Sequence, residues 1–315
     1  MSTRAKLLQA FDRTSGQVLS GETLAKRLGV SRTAIWKQMQ TLKILGLPIE
    51  THGRSGYRFT TPNDSSLALF RGAAWTKPHY FLNTLSTQIS AKAGAAAGLP
   101  EGHLWMAETQ SKGRGRLGRF WESSYGGLWF SLLLRPKIAP ARLAPLSLVA
   151  GLCLREAIEK VCGVAARLKW PNDLLAGKGK PVKLAGILTE MSGQVDQADW
   201  VILGVGLNVN NPLSPALRPQ AVSLRDLTGK VWPRAKILET FLTVFRPAYG
   251  RYLKEGFAPF REAYWKNYFA PDQPIRLKTA GGEISGVARG VDAGGAIMIE
   301  SRRKIHAFTE GEIVL

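Results

Sequence analysis

Residues Gly113 to Arg119 read GRGRLGR, three glycines that let the backbone bend closely around a ligand and three arginines that bring positive charge to it. Phe120 and Trp121 follow at once, then the strand-like run Tyr125 to Leu132, so the basic loop opens onto apolar sheet and not onto a solvated tail. Lys169-Trp170-Pro171-Asn172-Asp173 places a lysine, an amide and a carboxylate together, because Pro171 holds its predecessor extended and Asn-Asp favours a turn. Lys183 is a lone charge in the apolar run Lys183-Leu184-Ala185-Gly186-Ile187-Leu188, where it either snorkels at a strand edge or faces an anion. In Gly204-Val205-Gly206-Leu207-Asn208, glycines within a strand mark close approach of a ligand or another backbone, and Asn208 offers it both a donor and an acceptor. Ser86, Thr87, Gln88 and Gln110 add neutral hydrogen-bonding groups.

Gly113, Gly115 and Gly118 satisfy GxGxxG, but a dinucleotide fingerprint needs a strand before it, a helix opening on it and an acid about 20 residues later, and here the following segment is strand-like. No phosphate-binding Gly-Lys-Ser/Thr pattern is present. The four histidines show neither a nucleophile triad order nor metal-ligand spacing, so no metal-ligating residue is assigned. The chemistry expected is therefore positioning and electrostatic stabilisation, as suits phosphoryl or nucleotidyl transfer.

Forty-three Lys and Arg against 23 Asp and Glu give the 315-residue chain a formal charge of +20, which favours polyanions and acidic partners. Its length and 45% hydrophobic content suit two or three domains. Cys153 and Cys162 match no zinc or redox spacing and read as buried thiols of a reducing compartment. Neither an apolar leader behind Met1-Ser2-Thr3-Arg4 nor a run of about 18 apolar residues is found, so the expected address is the cytoplasm, away from membranes.

Residues 1–62 are expected to form a winged helix-turn-helix. Leu7, Leu8 and Phe11 mark a first helix and Gly21 to Leu28 a second; Gly29-Val30 makes the turn, and Ser31 caps a third helix that ends at Gly46-Leu47-Pro48. Ile35, Met39 and Leu42 face inward, leaving Arg32, Thr33, Trp36 and Lys37 outward. A short hairpin turns through His52 to Gly56, with Arg54 at its tip. In that geometry Ser31, Arg32, Thr33, Trp36, Lys37 and Arg54 meet DNA. Thr61 to Ser66 has linker composition. Residues 67–270 alternate helices and apolar strands, as an α/β unit with a mixed sheet, and residues 271–315 carry short glycine-broken strands suggesting an SH3-like β-barrel. The fold class is multidomain α+β.

Taken in order, Ser86-Thr87-Gln88, Gln110 with GRGRLGR, KWPND, KLAGIL and GVGLN resemble the biotin protein ligases, and the three-part layout resembles the bifunctional bacterial members that also repress the biotin operon. The resemblance implies that biotin and MgATP give biotinyl-5′-AMP, whose biotinyl group passes to a lysine of a carboxylase carrier domain. It implies catalytic roles for Lys183, Arg114, Arg116 and Asp173, and a ligand site of Ser86, Thr87, Gln88, Gln110, Gly113, Arg114, Gly115, Arg116, Trp121, Lys183, Gly186, Gly204, Gly206 and Asn208. It further implies operator DNA as partner, a ligand-promoted homodimer and a basic loop that orders only over ligand. Gln88 stands where the family commonly has Asn, and Leu85 where it often has an acid. Two other readings stay open: a biotin-sensing DNA-binding regulator without ligase activity, and a lipoate-type ligase.

Overall fold

The computed structural model describes residues 3–314 apart from 13, 15, 45, 46, 61–66, 68, 69, 178 and 179. The linker expected at Thr61 to Ser66 and the helix stop at Gly46 lie outside the described residues.

Helices α1 (Thr3–Asp12), α2 (Gly21–Leu28) and α3 (Arg32–Ile44) are followed by the hairpin β1 (Ile49–Thr51) and β2 (Tyr57–Phe59). Ser20 Oγ caps α2 by accepting from Thr23 N, and Gly29, at φ 65°, ends it. Ser31 Oγ accepts from Ala34 N at 3.1 Å and starts α3. Leu7, Leu8, Leu24, Ile35, Met39 and Leu42 are fully buried together, while Arg32, Thr33, Trp36 and Lys37 are exposed, as their helical spacing requires. Gly56 returns the hairpin at φ 127°, and a Cβ there would lie 2.0 Å from the Leu19 carbonyl oxygen.

The central unit is a seven-stranded sheet, in the order β3 (Lys77–Thr84), β4 (His103–Gln110), β5 (Leu128–Leu134), β9 (Ala198–Leu207), β8 (Val182–Gly193), β7 (Asp173–Ala176), β6 (Arg167–Lys169). Only β3 and β4 are parallel, so the sheet is mixed. Alternation along β4 decides what each face meets. Trp105 points toward α4 (Thr87–Ala96) with Leu133 and Ile202, whereas Leu104 and Met106 join the larger core beneath α5 (Leu146–Cys162) and α7 (Arg234–Glu255). Two short helices, α6 (Leu224–Thr228) and α8 (Arg261–Lys266), complete the unit. Cys153 and Cys162 lie buried on α5, where burial pushes both thiols up to about 12.

The C-terminal unit is a five-stranded antiparallel sheet, ordered β13 (Lys304–Phe308), β12 (Ile297–Ser301), β11 (Gly282–Val291), β10 (Pro274–Thr279), β14 (Glu312–Val314). Its Leu277, Ala288, Ile297 and Ile313 belong to the same apolar core as the central unit, and Trp170 Nε1 donates to the Gly295 carbonyl at 3.0 Å. The winged helix keeps a core of its own, joined to the central unit where Tyr125 packs against Phe59, ring centroids 6.2 Å apart.

Candidate active site

One wall of the site is neutral and built at the start of α4. Ser86 Oγ caps the helix by accepting from Gln88 N at 3.2 Å. Gln110, at the end of β4, accepts through Oε1 from Thr87 N at 2.7 Å and from the Thr87 hydroxyl at 3.1 Å, and donates through Nε2 to Ser123 Oγ at 2.8 Å. Ser131 on β5 places its hydroxyl 2.9 Å from both Thr87 Oγ1 and Gln88 Oε1, and its single proton serves one of them at a time. The Gln88 amide also donates to the Ile202 carbonyl at 3.4 Å. Gly204 leaves room for that amide, because a Cβ there would stand 2.4 Å from Gln88 Oε1. The bare strand thus accommodates the methylene by which Gln88 exceeds asparagine.

The opposite wall is cationic. A register shift between Leu174 and Leu175 bends β7 against β8 where Lys183 enters. Lys183 Nζ reaches Asp173 Oδ1 at 2.8 Å and lies 5.0 Å from the centre of the Trp121 ring. It therefore faces inward from the strand edge. Lys169 Nζ is 3.9 Å from Asp173 Oδ2, and the residue is only 7% exposed. Burial lowers its pKa below the ordinary lysine range, with Asp173 opposing the shift. Trp121 covers Gly186 and Gly206, whose added Cβ atoms would lie 2.9 and 2.7 Å from its ring. The group these strand glycines admit is an aromatic side chain of the protein itself, and its Nε1 is buried with no hydrogen-bond partner among the described residues. Asn208 is buried, and its Oδ1 accepts from Asn211 Nδ2 at 3.1 Å.

Between the walls the GRGRLGR segment folds back on itself. Gly115 N donates to the Arg119 carbonyl at 2.8 Å, and Trp121 N to the Gly113 carbonyl at 3.0 Å. A Cβ on Gly113 would come within 2.2 Å of the Trp121 carbonyl oxygen, so glycine is required at this neck. Arg114 is exposed over the cavity, whereas Arg116 is half-buried and donates from Nη1 to Asn172 Oδ1 at 3.3 Å. The cavity between the walls, open to solvent on one side, measures about 640 Å³. Every residue singled out for this ligand site lines it except Gly113, which forms the neck behind it. Ser131, Lys169, Lys180, Gln220 and Glu312 also line it, beyond the residues expected. Of these, Lys169 had a signal in the sequence, since it opens the KWPND motif.

Among the described residues no group of three or more His, Cys, Asp or Glu could hold a metal ion, and no helix is long and apolar enough to cross a membrane. The residues of α3 and the wing expected to meet DNA stand apart from the cavity lining.

A family model for the biotin/lipoate A/B protein ligase family matches residues 84–208, one for an HTH domain residues 3–58, and one for the biotin protein ligase C-terminal domain residues 272–315. The bifunctional ligase/repressor BirA of Bacillus subtilis is 34% identical over 99% of this chain and 98% of its own. The chain belongs to the biotin protein ligase family. Another ligase of this family, the bifunctional ligase/repressor BirA of Escherichia coli, is 31% identical over 96% of this chain and 94% of its own. A biotin protein ligase of Aquifex aeolicus, solved in complex with biotin and ATP, superposes with a TM-score of 0.66 at 30% identity, covering 76% of this chain and 97% of that one.

Proposed function

We propose that the chain is an ATP-dependent biotin protein ligase whose winged helix serves as a repressor of a biotin operon. The observation that carries the ligase reading is the cavity itself. It sets a neutral wall of Thr87, Gln88, Gln110 and Ser131, suited to the amide-like ureido group of biotin, opposite a cationic wall suited to a triphosphate. The Aquifex relative's complex with both biotin and ATP supports the same pairing of substrates.

In the first step a carboxylate oxygen of biotin bonds to the α-phosphorus of ATP, and the bond to the β-phosphate oxygen breaks, releasing pyrophosphate and leaving biotinyl-5′-AMP. Lys183 is placed to offset charge on the five-coordinate phosphorus, with Asp173 fixing its ammonium in position. Arg114 and Arg116 close over the phosphate, and the folded loop keeps water from the mixed anhydride. In the second step the amine of a carrier-domain lysine attacks the biotinyl carbonyl carbon and AMP leaves. Trp121 offers a flat face for the adenine, and Asn208 borders the nucleotide end. Mg²⁺ is usually held by one or two carboxylates plus substrate phosphates; Asp173, which lines the cavity as Glu122 and Glu312 also do, would hold it, and the ion would offset phosphate charge.

Incubation with biotin, MgATP and a carrier-domain fragment tests this reading through pyrophosphate release and the fragment's mass, with lipoate as control. A gain of one biotinyl group with biotin alone is expected. Biotin binding without adenylate would favour a sensing regulator, and turnover of lipoate a lipoate-type ligase. The repressor reading rests on the exposed Arg32, Thr33, Trp36 and Lys37 of the Ser31-capped helix and on Arg54 in the wing. It includes an adenylate-promoted homodimer spanning two operator half-sites, a cytoplasmic location and three domains bounded at residues 1–62, 67–270 and 271–315.

A further inference from the structure

The GRGRLGR segment is tied to the last strand of the chain, 193 residues away. Arg119 presents two donors to the Glu312 carboxylate, Nη1 to Oε1 at 2.7 Å and Nη2 to Oε2. Arg116 Nη1 adds a bond to the Gly311 carbonyl at 3.4 Å. Gly311, Glu312 and Ile313 in turn line the cavity, so β14 is a piece of its wall. The Arg119 hydrogen bond holds the Glu312 carboxyl below the usual carboxylate range, and Lys169 and Lys183 add to the shift. Glu312 therefore shares the field of the cations that face the phosphate site.

We propose that Arg119 and Glu312 are positioning residues that latch the basic loop shut over the cavity, making the C-terminal unit half of the closing device. The paired fork of guanidinium and carboxylate fixes orientation as well as distance, which one contact to a mobile loop would not do. Both side chains remain substantially exposed, 60% and 38%, so the pair adds little to overall stability. A contact of that strength opens and recloses with each turnover, unlike the dry core joining the same two units at Leu277 and Ile313. The proposal rests on the ligase reading, in which the loop must close on the adenylate and reopen to admit the carrier lysine.

The loop's own arginines make trypsin the probe. Cleavage after Arg114 and Arg116 is followed by mass in the ligand-free, full-length protein, where the latch slows it and an ordering that comes only with ligand does not. Glu312→Gln keeps every cleavage site and is expected to raise cleavage about fivefold, the shift in open population that one exposed ion pair commands. The exchange of partners, Arg119→Glu with Glu312→Arg, restores slow cleavage at the two shared sites. Unchanged cleavage in Glu312→Gln overturns the latch, and so does an exchanged pair cut as fast as the single variant. A lower melting temperature with cleavage outside the loop would also overturn it, because Glu312 would then be structural. In the adenylation assay loss of the latch appears as a higher KM for biotin and faster escape of the adenylate. A wild-type protein that forms no adenylate would sink the ligase reading while leaving the proteolysis result to judge the latch.

Discussion

The protein carries two surfaces made for anions, and they handle charge in opposite ways. On the winged helix, Arg32, Lys37 and Arg54 stand exposed on a scaffold whose core lies wholly beneath them. In the cavity, Lys169, Lys183 and Arg116 are partly or almost wholly withdrawn from water, and each has a side-chain partner: Asp173 for the lysines, Asn172 for the arginine. Exposed cations give long-range, screenable attraction. Lysines withdrawn and paired in this way are held in place before the ligand arrives and are screened far less. Residues of one chemical class therefore give affinity for a polymer in one place and transition-state stabilisation in the other.

The largest effect that follows is at Lys183. Lys183→Ala should cost the adenylation step on the order of 3 kcal/mol, between a hundredfold and a thousandfold, as for other electrostatic stabilisers. Pyrophosphate release checks it, with the sequence-independent, salt-sensitive DNA binding of the winged helix retained by the same variant. Near-normal adenylation would mean the cavity cations act as mere attraction, and the contrast between the two surfaces would fall.

The converse test is on α3. Replacing Arg32 and Lys37 with alanine should leave adenylation intact and weaken binding to a biotin-operon promoter fragment. It should also lower the slope of log affinity against log salt by roughly 1 for each phosphate that is no longer neutralised. A slope equal to that of the wild type would show that these side chains do not meet the backbone.

Much of the site could be read from the chain because its parts are local. Ser31 as a cap, Ile35, Met39 and Leu42 as an inward stripe, and the short motifs around Gln110, Lys183 and Asn208 each lie within one element or one turn. What was not legible depends on long-range packing. Glu312 meets Arg119 only because β14 pairs with β10 over the shared core, and nothing about one glutamate near a C-terminus announces that. Ser131 is hidden in an apolar strand where a serine most simply reads as tolerated polarity. Gly186 and Gly206 do sit at places of close approach, yet spacing could not say that the Trp121 ring is what lies on them.

A smaller effect separates helix stability from DNA affinity. Ser31→Ala removes the acceptor for Ala34 N and should cost about 1 kcal/mol of winged-helix stability. Hydrogen exchange across α3 would show it. Exchange unaltered in α3 would make the cap dispensable and assign Ser31 to DNA contact alone.

Acid should distinguish the two regions by the order in which they loosen. On β3 and β4, His79 Nε2 and His103 Nδ1 are 2.7 Å apart, stacked on each other and beside Trp105, and burial lowers both imidazoles below the ordinary 6.5. The unfolded chain then binds more protons than the folded one as pH drops below about 6.5, so stability is lost from that point downward and is flat above it. In the wing, the Arg58 hydrogen bond lowers Glu50 below its ordinary 4.5. That contribution is complete above 4.5 and is lost only as pH falls through the depressed value. Protection at β3 and β4, corrected for the intrinsic pH dependence of amide exchange, should therefore fall as pH drops below 6.5, while the β1–β2 hairpin holds its protection until below 4.5. His79→Gln together with His103→Gln should remove the first transition and spare the second. Simultaneous loss of protection in both regions would mean that the Tyr125–Phe59 contact binds them into a single cooperative unit, and the division drawn between the two surfaces would then be one of chemistry and not of stability.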